Sequence, residues 1–92
     1  MSRASARHIL VSTAEEANKI KQEIADGADF GDMAKKYSSC PSKRDGGALG
    51  EFSPGQMVRE FDEVVFRDEV CVVHGPVQTQ FGYHLIEITS RS

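Results

Sequence analysis

Gly75-Pro-Val-Gln-Thr-Gln-Phe-Gly-Tyr-His-Leu-Ile86 is the stretch whose reading decides the fold. Val77 to Thr79 and Tyr83 to Thr89 are strand-like runs separated by Phe81-Gly82, the pattern of a β-hairpin. In the second run His84, Ile86 and Ile88 alternate against Tyr83, Leu85 and Glu87, so a strand sends the two sets to opposite faces. The chain is therefore predicted to end in two antiparallel strands, against which the remaining elements are laid.

Working upstream, Val70 to Val73 is short and irregular, whereas Met57, Phe61, Val64 and Val65 mark a helical stripe. Ser53-Pro-Gly55 reads as a turn and Leu49-Gly-Glu-Phe52 as a short strand. Ser38 to Gly50 is a loop, because Cys40-Pro-Ser-Lys-Arg-Asp-Gly-Gly47 carries punctuation that ends a helix and prevents a strand. It is long enough to be functional. Before it, Phe30, Met33, Ala34 and Tyr37 fall at i, i+3, i+4 and i+7 behind an Asp29 cap, an apolar stripe facing the core. A first helix opens at the Thr13 and Glu16 capping box, repeats Ala14, Ala17, Ile20 and Ile24, and stops at Gly27. Arg7 to Val11 forms a first strand with His8 and Leu10 on one face and Ile9 and Val11 on the other, both at least partly buried. The order β-α-α-β-α-β-β specifies an α+β fold, a small antiparallel four-stranded sheet surrounded by helices.

A chain of 92 residues holds one core, so residues 1–92 are expected to form a single domain with one site. Apolar residues at 39% and charged residues at 27% place it among ordinary soluble globular chains, and a monomer is expected. The net charge of −3, with basic residues scattered, argues against nucleic acid as a partner. No apolar run reaches the roughly 18–20 residues of a membrane span, and Met1-Ser-Arg-Ala-Ser-Ala-Arg7 lacks the apolar stretch of a signal peptide. No membrane partner and a cytoplasmic location are therefore expected. Cys40 and Cys71 are too far apart for a zinc or thioredoxin-like pair, and both are expected to stay reduced.

Three separated segments, around His8, from Met57 to Phe61 and from Gly75 to His84, set polar reactive side chains beside bulky apolar ones. That composition suits a small pocket for an apolar backbone segment rather than for a phosphate or a metal. Met57 and Phe61 are four residues apart and share a helix face, which reads as core or as pocket wall. A histidine on an apolar strand is a satisfied core residue or a catalyst, and pattern alone does not choose for His8 or His84. Cys71 reads as a buried apolar filler and His74 as a surface loop residue. Cys40, His8 and His84 are suitable zinc ligands by type, but their spacing matches no metal motif; no metal and no cofactor are expected.

Taken together, His8-Ile-Leu-Val11, Gly27-Ala-Asp-Phe-Gly31, Ala34-Lys-Lys-Tyr-Ser38, Gly46-Gly-Ala-Leu-Gly-Glu-Phe52, Gly55-Gln-Met57, Phe61 and Gly75 to Ile86 resemble the parvulin family of peptidyl-prolyl cis/trans isomerases. The resemblance spans nearly the whole chain and is nearest to the small single-domain bacterial parvulins, without an appended module. It implies an enzyme that rotates peptide bonds preceding proline in polypeptide substrates. It assigns Leu49, Met57 and Phe61 to the apolar pocket for the proline ring, with Phe81 at its edge. It makes His8 and His84 the paired central histidines, in a hydrogen-bond network with Thr79 and Cys40, acting as orienting groups or directly in catalysis. Cys40 stands where the family carries Cys or Asp, which suits an acceptor or a charge near the rotating amide better than a covalent nucleophile.

Phosphate-directed parvulins carry a basic cluster between the first strand and the first helix. Ser12-Thr-Ala-Glu-Glu16 stands there instead and would repel a phosphoryl group, so phosphate-independent substrates with apolar residues before proline are expected. Lys43 and Arg44 belong to a solvated loop or draw acidic peptides. Two other functions fit the same residues. One is a non-catalytic proline-peptide-binding or chaperone-like module; the other is a cysteine hydrolase, which needs an oxyanion hole and a base-to-thiol geometry.

Overall fold

Thr13 and Asp29 open two helices by the same device, a side-chain oxygen that accepts a backbone N–H three residues on, from Glu16 and Asp32 respectively. The helices are α1, Ala14–Ala25, and α2, Phe30–Tyr37. The computed structural model describes residues 3–91; Met1, Ser2 and Ser92, included in the expected domain, lie outside the described residues. Strand β1, Ala4–Val11, precedes α1. A 3-10 turn at Pro41–Asp45, strand β2 at Ala48–Phe52, helix α3 at Arg59–Val65 and strands β3, Val73–Thr79, and β4, Gly82–Arg91, complete the order.

All pairings are antiparallel, and the sheet runs β2-β1-β4-β3. The first and last strands are therefore neighbours at its centre, and both faces of each must be covered. Ile9 and Val11 of β1 join Ala17, Ile20, Phe30 and Leu85 in a core beneath α1 and α2. Ala4 and Ala6, on the opposite side of the pleat, join Phe52, Phe61, Ile86 and Ile88 in a second core beneath α3. The expected α+β architecture is present, and the sheet lies between two helical layers.

Several boundaries differ from the sequence expectation, each for a local reason. Strand β1 begins three residues before Arg7, at Ala4, because Ala4 and Ala6 are small but almost fully buried against α3. The hairpin turns at Gln80-Phe81, not Phe81-Gly82, since Thr79 pairs with Gly82. Strand β3 starts at Val73 and runs through Gly75 and a cis-linked Pro76, its register interrupted between His74 and Val77. Helix α3 begins only at Arg59, with Val58 as its N-cap, so Met57 does not share a helix face with Phe61. The Ser38 to Gly50 loop contains the 3-10 turn and the start of β2. Tyr37 departs from the buried stripe of α2, where Phe30, Met33 and Ala34 face the core and Tyr37 is 36% exposed.

Two further residues are relocated. Cys71 is not a buried filler: it is exposed, with φ of +67°, and its backbone N–H donates to the Ile88 carbonyl. His74 is not in a surface loop but in β3, half-buried, with Nε2 at 2.8 Å from the Glu69 carbonyl oxygen.

Gly47 shows how tightly the β1–β2 junction is closed. Its carbonyl accepts the His8 N–H, its φ is +89°, and a Cβ there would lie 2.4 Å from the His8 carbonyl oxygen. Gly50 has φ of +74° but open space around it. Gly50→Ala is expected to cost only the left-handed backbone strain, about 1 kcal/mol. Gly47→Ala adds a backbone collision beside His8 and is expected to lower the thermal midpoint clearly further; equal midpoints for the two variants would refute this account.

Candidate active site

The β1–β4 ladder puts Leu10 opposite His84 and His8 opposite Ile86, so the two histidines stand diagonally on one face of the sheet. Both are buried, at 5% and 4% exposure. Their rings stack with centroids 5.1 Å apart and planes 15° apart, and the two Nδ1 atoms are 2.9 Å apart. His84 Nε2 lies 2.7 Å from Thr79 Oγ1, which also accepts the Phe81 N–H at 3.1 Å. Phe61, from α3, meets both rings nearly at right angles, with centroids 5.7 Å from His8 and 5.8 Å from His84.

The hydrogen-bond pattern assigns the protons. An Nδ1–Nδ1 bond carries a single hydrogen, so one ring donates and the other accepts. If His8 donates, His84 carries its hydrogen on Nε2 and gives it to Thr79, leaving His8 Nε2 as a bare acceptor. The reverse arrangement leaves an N–H on His8 Nε2, which is buried without a partner among the described residues. An orphaned buried N–H is the costlier fault, which favours His8 as donor. Burial, and then the neighbouring His84, hold the His8 pKa down from 6.5 to about 4. Burial likewise lowers that of His84. Near neutral pH both rings are uncharged.

Over this pair opens a pocket of about 370 Å³. His8, His84 and Phe61 line it together with Leu49, Met57 and Val58. Cys40 and Pro41 form another part of the wall, and Phe81, 62% exposed, stands at the rim. Seven of the eight expected site residues thus border one cavity, and Thr79 stands behind it on His84. Met57 reaches the cavity from the segment before α3 rather than from the helix itself.

Cys40 enters the pocket but not the hydrogen-bond network expected for it. Among the described residues the bonds run from His8 through His84 to Thr79, and no hydrogen bond involves the Cys40 thiol. A nucleophile–base pair is therefore not assembled. Nor do three or more His, Cys, Asp or Glu side chains among the described residues converge as a metal site would require.

Sequence reading missed Leu10, Ser39, Pro41 and Val58, which also line the pocket. Leu10 was legible, since it alternates onto the face of His8. Ser38 was not: its buried hydroxyl accepts the backbone N–H groups of Leu10, at 3.0 Å, and Cys40, at 3.3 Å. With the Ser39 N–H donating to the Leu10 carbonyl, this fastens the Cys40 wall to β1.

A histidine with a depressed folded pKa is neutral in the native state while the unfolded chain takes up a proton below its ordinary pKa, so stability falls with falling pH. The His8 contribution is expected to be intact above pH 6.5 and lost by about pH 4. Its size is about 3 kcal/mol at most. Urea unfolding between pH 7 and 4 measures this; in His8→Gln the slope over that interval is expected to shrink, and an unchanged slope would exclude His8 as its source.

A PPIC-type PPIase (rotamase) domain profile matches residues 6–90. The foldase protein PrsA 4 of Bacillus cereus is 45% identical over 85 residues, 91% of this chain and 30% of that protein. The foldase protein PrsA of Geobacillus kaustophilus is 44% identical over 87 residues, 94% of this chain and 31% of that protein. The chain thus spans about 30% of the length of these curated relatives. The crystal structure of the peptidylprolyl isomerase PrsA from Bacillus anthracis superposes with a TM-score of 0.96 at 38% identity, over 99% of this chain and 42% of that one. NmPin, the parvulin of Nitrosopumilus maritimus, superposes with a TM-score of 0.87 at 35% identity, over 98% of each chain. With the profile covering nearly the whole chain and the same fold in a parvulin of matching length, the protein belongs to the PPIC-type, or parvulin, family of peptidyl-prolyl cis/trans isomerases.

Proposed function

We propose that this chain catalyses cis/trans isomerisation of peptide bonds preceding proline in polypeptide substrates, without a phosphoryl requirement and without a covalent intermediate. The observation that carries this reading is the apolar pocket built on Phe61 over two uncharged, mutually bonded histidines.

The chemistry asks little of the protein beyond environment. Rotation about a peptide bond has a barrier of about 18–20 kcal/mol, because resonance gives the C–N bond partial double-bond character. In the planar amide that resonance separates charge, which water stabilises; the twisted transition state has lost it. A site that takes the proline ring out of water, between Phe61, Leu49 and Met57, therefore favours the twisted form over the planar one. Neutral histidines suit this task, since an imidazolium beneath the ring would hold water in the pocket. In this reading the His8–His84–Thr79 chain keeps the floor in one geometry, and Cys40 stands where it faces the rotating amide. The first turn of α1, directly after β1, presents exposed Glu15 and Glu16 and no basic residue, which supports phosphate independence.

Short peptides with Leu, Ala, Glu or phosphoserine before proline, followed by cis-to-trans relaxation, test the reading. Acceleration greatest with Leu is expected. Phe61→Ala is expected to remove it, with a loss of about 3–5 kcal/mol of stability because Phe61 is also a core residue. Met57→Ala, outside the helix and half-buried, is expected to retain the fold and lose about tenfold in kcat/KM, as the removal of one pocket side chain implies. Peptide binding without acceleration would replace the enzyme by a proline-peptide-binding module, and a phosphoserine preference would overturn the phosphate-independent reading.

A further inference from the structure

Basic residues are scattered along most of this chain, but one stretch beside the pocket carries a local excess of them. Between residues 35 and 45 stand Lys35, Lys36, Lys43 and Arg44 against the single acid Asp45, a net +3 in a chain of net −3, so the remainder carries −6. All four cations are exposed, Lys35 and Lys36 on the last turn of α2 and Lys43 and Arg44 on the 3-10 turn. Among the described residues neither Lys43 nor Arg44 is in an ion pair or hydrogen-bonded through its side chain.

The 3-10 geometry gives one of these cations, Arg44, a direction. In such a turn, residues three apart eclipse one another. Cys40, the N-cap, and Pro41, the first residue of the turn, both line the pocket, and Arg44 follows Pro41 by three residues. The Lys43 N–H donates to the Cys40 carbonyl at 3.0 Å, which sets this spacing at the start of the turn. Gly46, at φ +69°, then closes the turn by donating to the Lys43 carbonyl, and a Cβ on it would sit 3.2 Å from Gly31 of α2, which fixes the turn on that helix. Arg44 thus continues the edge that begins as pocket wall at Pro41, with Lys43 next to it on the same turn.

We propose that Lys43 and Arg44 form a subsite that selects substrates with carboxylate side chains close to the isomerising proline; this rests on the isomerase reading above. The site takes singly charged groups. Its cations are exposed and held by no second layer of hydrogen bonds, unlike the buried, bidentate arrangement that recognises a phosphoryl group. Substrate selection then has two parts: the pocket reads the proline ring, and the turn reads an acidic neighbour.

The test uses the unmodified protein and Leu-Pro peptides whose flanking positions carry Glu, Gln, Lys or phosphoserine. A roughly three- to tenfold higher kcat/KM for Glu than for Gln is expected at low salt, the size of one or two exposed ion pairs. The ratio should fall toward one as ionic strength rises to about 0.5 M. Lys43→Glu/Arg44→Glu is expected to invert the order, so that Lys peptides overtake Glu peptides. Equal rates for Glu, Gln and Lys at low salt overturn the proposal, and a preference for phosphoserine over Glu overturns its carboxylate assignment. The same peptides titrated by fluorescence anisotropy separate the two readings. If no peptide is isomerised, the enzyme reading fails, and the Glu-to-Gln ratio of Kd values then decides the subsite on its own.

Discussion

The antiparallel pairing of β1 with β4 is the constraint on which the rest of the structure depends. It joins the two ends of the chain, from Ala4 with Arg91 to Val11 with Tyr83, and so closes nearly the whole sequence into one loop. Such closure carries a large entropic cost that local contacts cannot offset. The compensation is burial on both faces: Ile9, Leu85, Ile86 and Ile88 are fully buried, the first two toward α1 and α2 and the others toward α3. The same ladder brings His8 and His84 together across 76 positions of sequence. Fold and site are thus consequences of one pairing.

Burial then decides the chemistry of the site. Histidine ordinarily titrates near neutrality, but these two are stacked, desolvated and aimed at each other, and they stay uncharged. Beyond each other, their hydrogen bond among the described residues goes to Thr79, itself fixed by the Phe81 N–H at the hairpin. The result is a polar floor that presents an essentially apolar surface, with Phe61 set against both rings. A floor of this kind fits a reaction whose transition state has lost charge separation. The hairpin also carries Phe81, so the rim and the histidine network are built from one short segment.

Much of this was legible in the sequence, because the signals are local. Thr13 and Asp29 cap their helices as any such residues do, and Ile20, Phe30 and Met33 follow a 3.6-residue period onto the core. His8 and Leu10 share a face because strand side chains alternate. What was illegible depends on distant partners. Ala4 and Ala6 lack the bulk that advertises a strand, yet α3 buries them. Cys71 looks like core filler by type, but a left-handed backbone leaves it in solvent. Met57 carries a helical spacing to Phe61 that the chain does not use, since α3 starts after Val58.

By itself the sequence determined the order of elements, through periodicity and capping among neighbouring residues, and, through its resemblance to a family, most of the residues that line the pocket. Only the tertiary structure decided that His8 and His84 bond to each other through Nδ1, that Cys40 lines the pocket without joining that network, and that Ser38 ties its wall to β1. The division has a physical reason. Periodicity and capping are set by torsions within a few residues, whereas a hydrogen bond between two strands exists only once the whole chain has closed around it.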